Sequence, residues 1–100
     1  MKRIAIFGNA GGGKSALARE LATITRLPLT VIDKLQYPGG VRIPHEEYLR
    51  AHSELLAADE WIIDGYGCSR SIWERLDAAD TLIHIDMSLA MHAMGVTKRL

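Results

Sequence analysis

The stretch GNAGGGKS at residues 8–15, entered through RIAIF, restricts the possible fold more than any other feature of this chain. It matches the pattern G-x-x-x-x-G-K-S/T and stands where that pattern has physical meaning, after an apolar run of strand character and at the start of an amphipathic stretch. Glycines reach backbone dihedrals closed to other residues and remove the Cβ atoms that would block an anion. Successive N–H groups can therefore converge on phosphate oxygens, and the positive end of the following helix adds to the attraction. The pattern predicts a phosphate-binding loop of Gly8, Asn9, Ala10, Gly11, Gly12, Gly13, Lys14, Ser15 and Ala16. Lys14 would reach the β- and γ-phosphates, and the Ser15 hydroxyl would join a Mg2+ shell. The competing reading, a flexible glycine turn, does not require the Lys-Ser pair at this spacing.

The rest of the chain alternates short apolar runs with longer amphipathic ones. Residues 3–7 read as a strand and 14–25 as a helix with Leu17, Leu21 and Ile24 on one face. LPLTVID (27–33) reads as a second strand, followed by a loop marked by Pro38, Gly39 and Gly40. Pro44 suits the first turn of a helix, and Glu46 and Glu47 suit its positive end. That helix is expected over 44–58, burying Tyr48, Leu49, Leu55 and Leu56. Strands at 60–64 and 81–86 flank a helix at 69–79, and Ser88 suits the cap of a last helix. Strands joined through helices must run parallel, so the fold class is α/β with a sheet covered on both faces. Ligands of such sheets collect beyond the carboxyl ends of the strands, where Gly8, Asp33, Asp64 and Asp86 fall.

Each of these acids has two readings. Asp64, followed by Gly65, suits a Walker-B-like carboxylate that orients Mg2+; the alternative is a strand-end residue capping the next turn. Asp33, beside the proline-glycine loop, either positions an acceptor hydroxyl or serves as a turn residue. Asp86 reads better as a helix cap. Arg70 and Arg75, after the Asp64 strand, are placed to clamp phosphate through their planar forks, with Arg42 a more distant candidate. The histidines show no metal spacing: His45 and His52 read as solvent-facing, His84 as a core or edge residue. Trp61 and Trp73 are expected in the core, and Cys68 as a small packed residue.

Twelve Lys and Arg balance twelve Asp and Glu, so no broad basic field exists and nucleic acid is an unlikely partner. With 48% hydrophobic and 24% charged residues, the hundred residues read as one domain over 1–100. No apolar run approaches membrane-spanning length, the N-terminus enters a strand pattern directly, and there is a single cysteine. The expected setting is the cytoplasm, without a membrane partner.

Four segments together carry a resemblance: KRIAIFGNAGGGKSALARELA, LPLTVIDKLQY with its proline-glycine loop, WIIDGY, and RLDAADTLIHIDM. The chain resembles the small P-loop kinases related to adenylate kinase, and within them the proteins labelled DNA topology modulation proteins. The resemblance implies a P-loop three-layer sandwich with strand order 2-3-1-4. It implies ATP and Mg2+ as cofactors and transfer of the γ-phosphoryl group to a nucleotide or another small acceptor. In that scheme Lys14 stabilises charge, Ser15 and Asp64 hold Mg2+, Asp33 positions the acceptor, and Arg70 or Arg75 clamps phosphate. Members of the group continue into a lid and a fifth strand, whereas this sequence stops at Leu100. The expectation is either a fragment of a longer kinase or a homo-oligomer that covers the exposed fourth strand. A nucleotide-binding module that lacks catalysis is the alternative function.

Overall fold

The computed structural model describes residues 2–8 and 12–85, with the side chains of 12–15 and 85 outside that description. Asn9, Ala10, Gly11, Asp86 and the helix expected from Ser88 lie outside the described residues. The elements run β1 (Arg3–Gly8), α1 (Gly12–Thr25), β2 (Leu29–Val31), α2 (Ile32–Gln36), α3 (His45–Leu56), β3 (Trp61–Asp64), α4 (Ser69–Ala78) and β4 (Thr81–Ile85). A single 3-10 turn, Pro38–Gly40, sits between α2 and α3. All strand pairs are parallel and the sheet order is β2-β3-β1-β4. This is the α/β order expected of the sequence, with the glycine-loop strand inside the sheet.

The two faces of the sheet bury two cores. On one, Ile4 and Ile6 of β1 and Ile62 of β3 pack with Ala18 and Leu27, and Leu17, Leu21 and Ala22 close over them. On the other, Trp61 and Ile63 of β3 meet Ile32 and Tyr48, with Leu49, Leu55 and Leu56 alongside. The alternation of Ile62 against Trp61 and Ile63 follows from the two-residue period of a strand buried on both sides.

Packing altered several expected features. α1 starts at Gly12, two residues earlier than the pattern suggested, so the end of the glycine stretch is already helical. Its inward stripe runs through Leu17, Ala18, Leu21 and Ala22, which leaves Ile24 72% exposed. The second strand is only Leu29–Val31, because the chain turns at Ile32 to bury that side chain beneath Trp61 and Tyr48. Asp33 therefore sits in the first turn of α2, not at a strand end. Pro44 stands at the N-cap of α3, just ahead of the helix, with Glu46 and Glu47 in the first turn. His52, expected in solvent, is fully buried one turn after Tyr48, and Trp73, expected in the core, is 71% exposed on the outer side of α4. α4 turns Ser71 and Arg75 inward instead. His84 is exposed on β4, at one edge of the described sheet.

Candidate functional site

β1 ends at the buried Gly8, α1 begins at Gly12, and residues 9–11 join them. Gly12, Gly13, Lys14 and Ser15 thus occupy the first turn of α1, where four backbone N–H groups have no partner within the helix. Ala16 follows in the same helix and is exposed. On the neighbouring strand Asp64 lies in register with Ile6 on one side and Val31 on the other, and the Gly65 N–H donates to the Ile6 carbonyl at 3.2 Å. The Asp64 side chain is 1% exposed. Adjacent parallel strands lie about 4.8 Å apart. Asp64 and Gly8, the ends of β3 and β1, therefore occupy neighbouring positions at the carboxyl edge of the sheet.

Beside them opens a cleft of about 500 Å³, lined by Ala18 and Arg19 of α1, Leu29, Thr30 and Val31 of β2, Lys34 and Leu35 of α2, and Asp64. Ala18 and Arg19 stand four residues after Lys14 and Ser15, one helical turn on, so the cleft adjoins the first turn of α1. It offers two cations, one hydroxyl and one carboxylate above an apolar floor, the lining expected where a small anionic or hydroxylated molecule is oriented. Sequence reasoning did not single out Arg19, Thr30 or Lys34. The available signals were a cation one turn beyond the Lys-Ser pair and another just past a strand end.

The other expected site residues lie elsewhere. Asp33 is exposed and does not line the cleft, although Lys34 next to it does. Arg70 is exposed and pairs along the helix with Glu74 at 3.3 Å. Arg42 is exposed. Arg75 does not line the cleft; it is fully buried under the turn that follows Asp64. Its Nη1 donates to the Gly65 carbonyl at 2.6 Å, its Nη2 to the Tyr66 carbonyl at 3.0 Å and its Nε to His52 Nε2 at 3.2 Å. Gly67 closes the same turn at φ 82°, where a Cβ would collide with the Tyr48 hydroxyl and lie 2.8 Å from the Ser71 hydroxyl. The Tyr48 hydroxyl donates to Ser71 at 2.9 Å, and Ser71 in turn donates to the Cys68 carbonyl and accepts its N–H at the start of α4. Cys68 is partly buried against the Tyr48 and Trp61 core. Among the described residues no group of three His, Cys, Asp or Glu is arranged to hold a metal ion.

His52 carries a testable consequence. Its Nε2 accepts from Arg75, so the proton of the neutral ring sits on Nδ1, which faces Glu74 Oε1 at 3.7 Å. Burial, and then the Arg75 charge, lower its pKa to about 4, with Glu74 opposing. Between pH 6.5 and about 4 the unfolded chain therefore binds more protons than the folded one, and stability falls as pH drops through that window. The expected loss is about 3 kcal/mol across the window, and it is absent above pH 6.5. Urea unfolding of the wild type and of His52→Gln between pH 7 and 4 measures it; the variant should lack this component of the slope.

Two solved structures share the fold. A gluconokinase from Sinorhizobium meliloti superposes with a TM-score of 0.54 at 20% identity, over 85% of this chain and 56% of its own. A sugar kinase from a Janibacter species, solved without ligand, gives 0.55 at 18% identity, over 93% of this chain and 65% of its own. This chain spans less than two thirds of either structure. No protein-family model matches it, and no curated protein matches it in sequence. Identities this low carry the fold, an α/β arrangement used by kinases, and leave the chemistry to be argued from the residues. No helix of the described residues is long and apolar enough to cross a membrane.

Proposed function

We propose that this chain is the nucleotide-binding part of an ATP-dependent small-molecule kinase. The observation that carries the reading is the shared edge of the sheet: Gly8 at the end of β1, the buried Asp64 at the end of β3 and a cleft with Arg19 and Lys34 lie together there, in a chain whose sequence reads GNAGGGKS from Gly8 into α1. The main-chain amides from Gly8 to Ser15 and the Lys14 ammonium would hold the polyphosphate. Ser15 and Asp64 supply the hard oxygen donors that suit Mg2+, which when bound neutralises phosphate charge. An acceptor hydroxyl in the cleft would attack the γ-phosphorus as the bond to the bridging oxygen of ADP breaks, with ADP leaving and the hydroxyl proton passing to water. Arg19 and Lys34 favour an acceptor that carries negative charge, either a nucleoside monophosphate, as in adenylate-kinase-like enzymes, or a sugar acid. The two structural neighbours, named for gluconate and sugar phosphorylation, add weight to the sugar class.

Calorimetry with Mg-ATP and Mg-GTP, followed by coupled turnover with nucleoside monophosphates, neutral sugars and sugar acids, tests this reading. Binding of Mg-ATP with turnover on an anionic acceptor is the expected result. Binding without turnover on any acceptor would identify a nucleotide-binding module, and no heat with either nucleotide would end the proposal.

A further inference from the structure

We infer that Arg75 is a positioning residue that locks together the two strand ends of the proposed nucleotide site, an inference that rests on the kinase reading above. Arg75 projects from the last turn of α4 and is 0% exposed. Three of its donors point in three directions, to the Gly65 carbonyl, the Tyr66 carbonyl and the His52 ring. The flat side of its guanidinium lies over Phe7, with Cζ 5.5 Å from the ring centroid. Phe7 immediately precedes Gly8, and Gly65 and Tyr66 immediately follow Asp64. One side chain thus touches the entry to the glycine loop and the exit from the carboxylate strand. The Phe7 and Tyr66 rings, 5.3 Å apart, close the bridge on its outer side.

The chemistry of the bridge is specific to arginine. A planar fork with five N–H groups can hold two carbonyls and a ring nitrogen at once while stacking on an aromatic face, and an ammonium cannot. Packing alone does not account for a cation here. Its hydrogen-bond partners are two carbonyls, a neutral imidazole and the Tyr48 hydroxyl, with Glu74 beyond the imidazole, and an apolar side chain of similar volume would fill the space without the desolvation cost. What the fork supplies in addition is a fixed distance between Phe7 at the end of β1 and the Gly65–Tyr66 and Tyr66–Gly67 peptides that follow Asp64. Donor groups fixed before a ligand arrives lose less entropy when they bind it.

The test uses the whole chain with Arg75→Lys and Arg75→Met. Amide hydrogen exchange at residues 65–67 should quicken by about tenfold or more, while amides of the α1 core keep their protection. ATP affinity measured with Mg2+ should fall by about tenfold, the usual scale for losing a group that orients a metal ligand, and affinity in EDTA should change less than twofold. If the Arg75 variants fail to fold, His52→Leu and His52→Gln read the same bridge, since glutamine can still accept from Nε and leucine cannot. Leucine should then loosen the turn and glutamine restore it. A folded variant with unchanged exchange at 65–67 and an unchanged Mg2+ dependence would overturn the inference. A wild type that binds no Mg-ATP would instead defeat the kinase reading, and the exchange measurement would then decide the bridge by itself.

Discussion

Gly67→Ala should be the most destabilising alanine substitution at the four positive-φ glycines among the described residues, with an expected loss of about 3 kcal/mol or more. Two independent terms add. The backbone at φ 82° is one that a residue with a Cβ adopts only under strain, and the methyl group would overlap the Tyr48 hydroxyl at the centre of a buried hydrogen-bonded cluster. Tyr48 cannot move aside easily, because it is fully buried against Trp61 and Ile63. Gly39→Ala is the matched control: its φ of 68° carries similar backbone strain, yet no atom lies within 4 Å of the added Cβ. Its cost should stay near 1 kcal/mol. For a domain of this size the difference between the two variants corresponds to a gap in Tm of roughly 10 °C. Thermal unfolding of both variants and the wild type decides it, and equal melting points would show that the Tyr48 cluster yields.

Lys14→Ala should weaken Mg-ATP binding by about a hundredfold while leaving the fold intact. A charge-assisted contact to phosphate contributes about 1.5–3 kcal/mol, and an ammonium placed between two phosphate groups can make more than one. Lysine side chains are rarely buried unless paired, and the core face of α1 includes Leu17, Ala18, Leu21 and Ala22, so the substitution should cost the fold little. The melting temperature without nucleotide should therefore match the wild type, and the rise in melting temperature produced by Mg-ATP should vanish. A variant that retains the full nucleotide-dependent rise would remove the lysine, and with it the phosphate loop, from the proposed site.

The features legible in the sequence are those that local chemistry determines. A lysine-serine pair after a glycine run has few alternatives, and helices of this length between apolar runs compel parallel strands, so the sheet class and the Gly8 and Asp64 strand ends could be read directly. Side-chain direction near element ends could not. Arg75 and Trp73 are two residues apart on one short helix, and their hydropathies predict the reverse of what is found: the arginine is buried and the tryptophan exposed. The carbonyls that reward burying Arg75 belong to a turn whose shape depends on Gly65 and Gly67. His52 follows from the same cause, because it is drawn inward by Arg75. The second strand read too long because LPLTVID is uniformly suited to extended structure, and only the pull of Ile32 into the Trp61 core bends it after Val31. Lys34 reached the cleft through that bend, whereas Arg19 lines it from α1.

The inner position of β1 bears on synthesis. Arg3 pairs with Trp61 and Ile4 with Thr81, so β1 is made well before either of its hydrogen-bonding neighbours. At about 5–20 residues per second, the apolar run ahead of the glycine turn waits several seconds without either flank. Nucleotide cannot assist the nascent chain during that interval, because the floor of its pocket does not yet exist. Truncated ribosome-bound chains ending before β3, and so lacking Asp64, should accordingly gain no protease resistance from Mg-ATP, whereas chains long enough to fold β3 against β1 should.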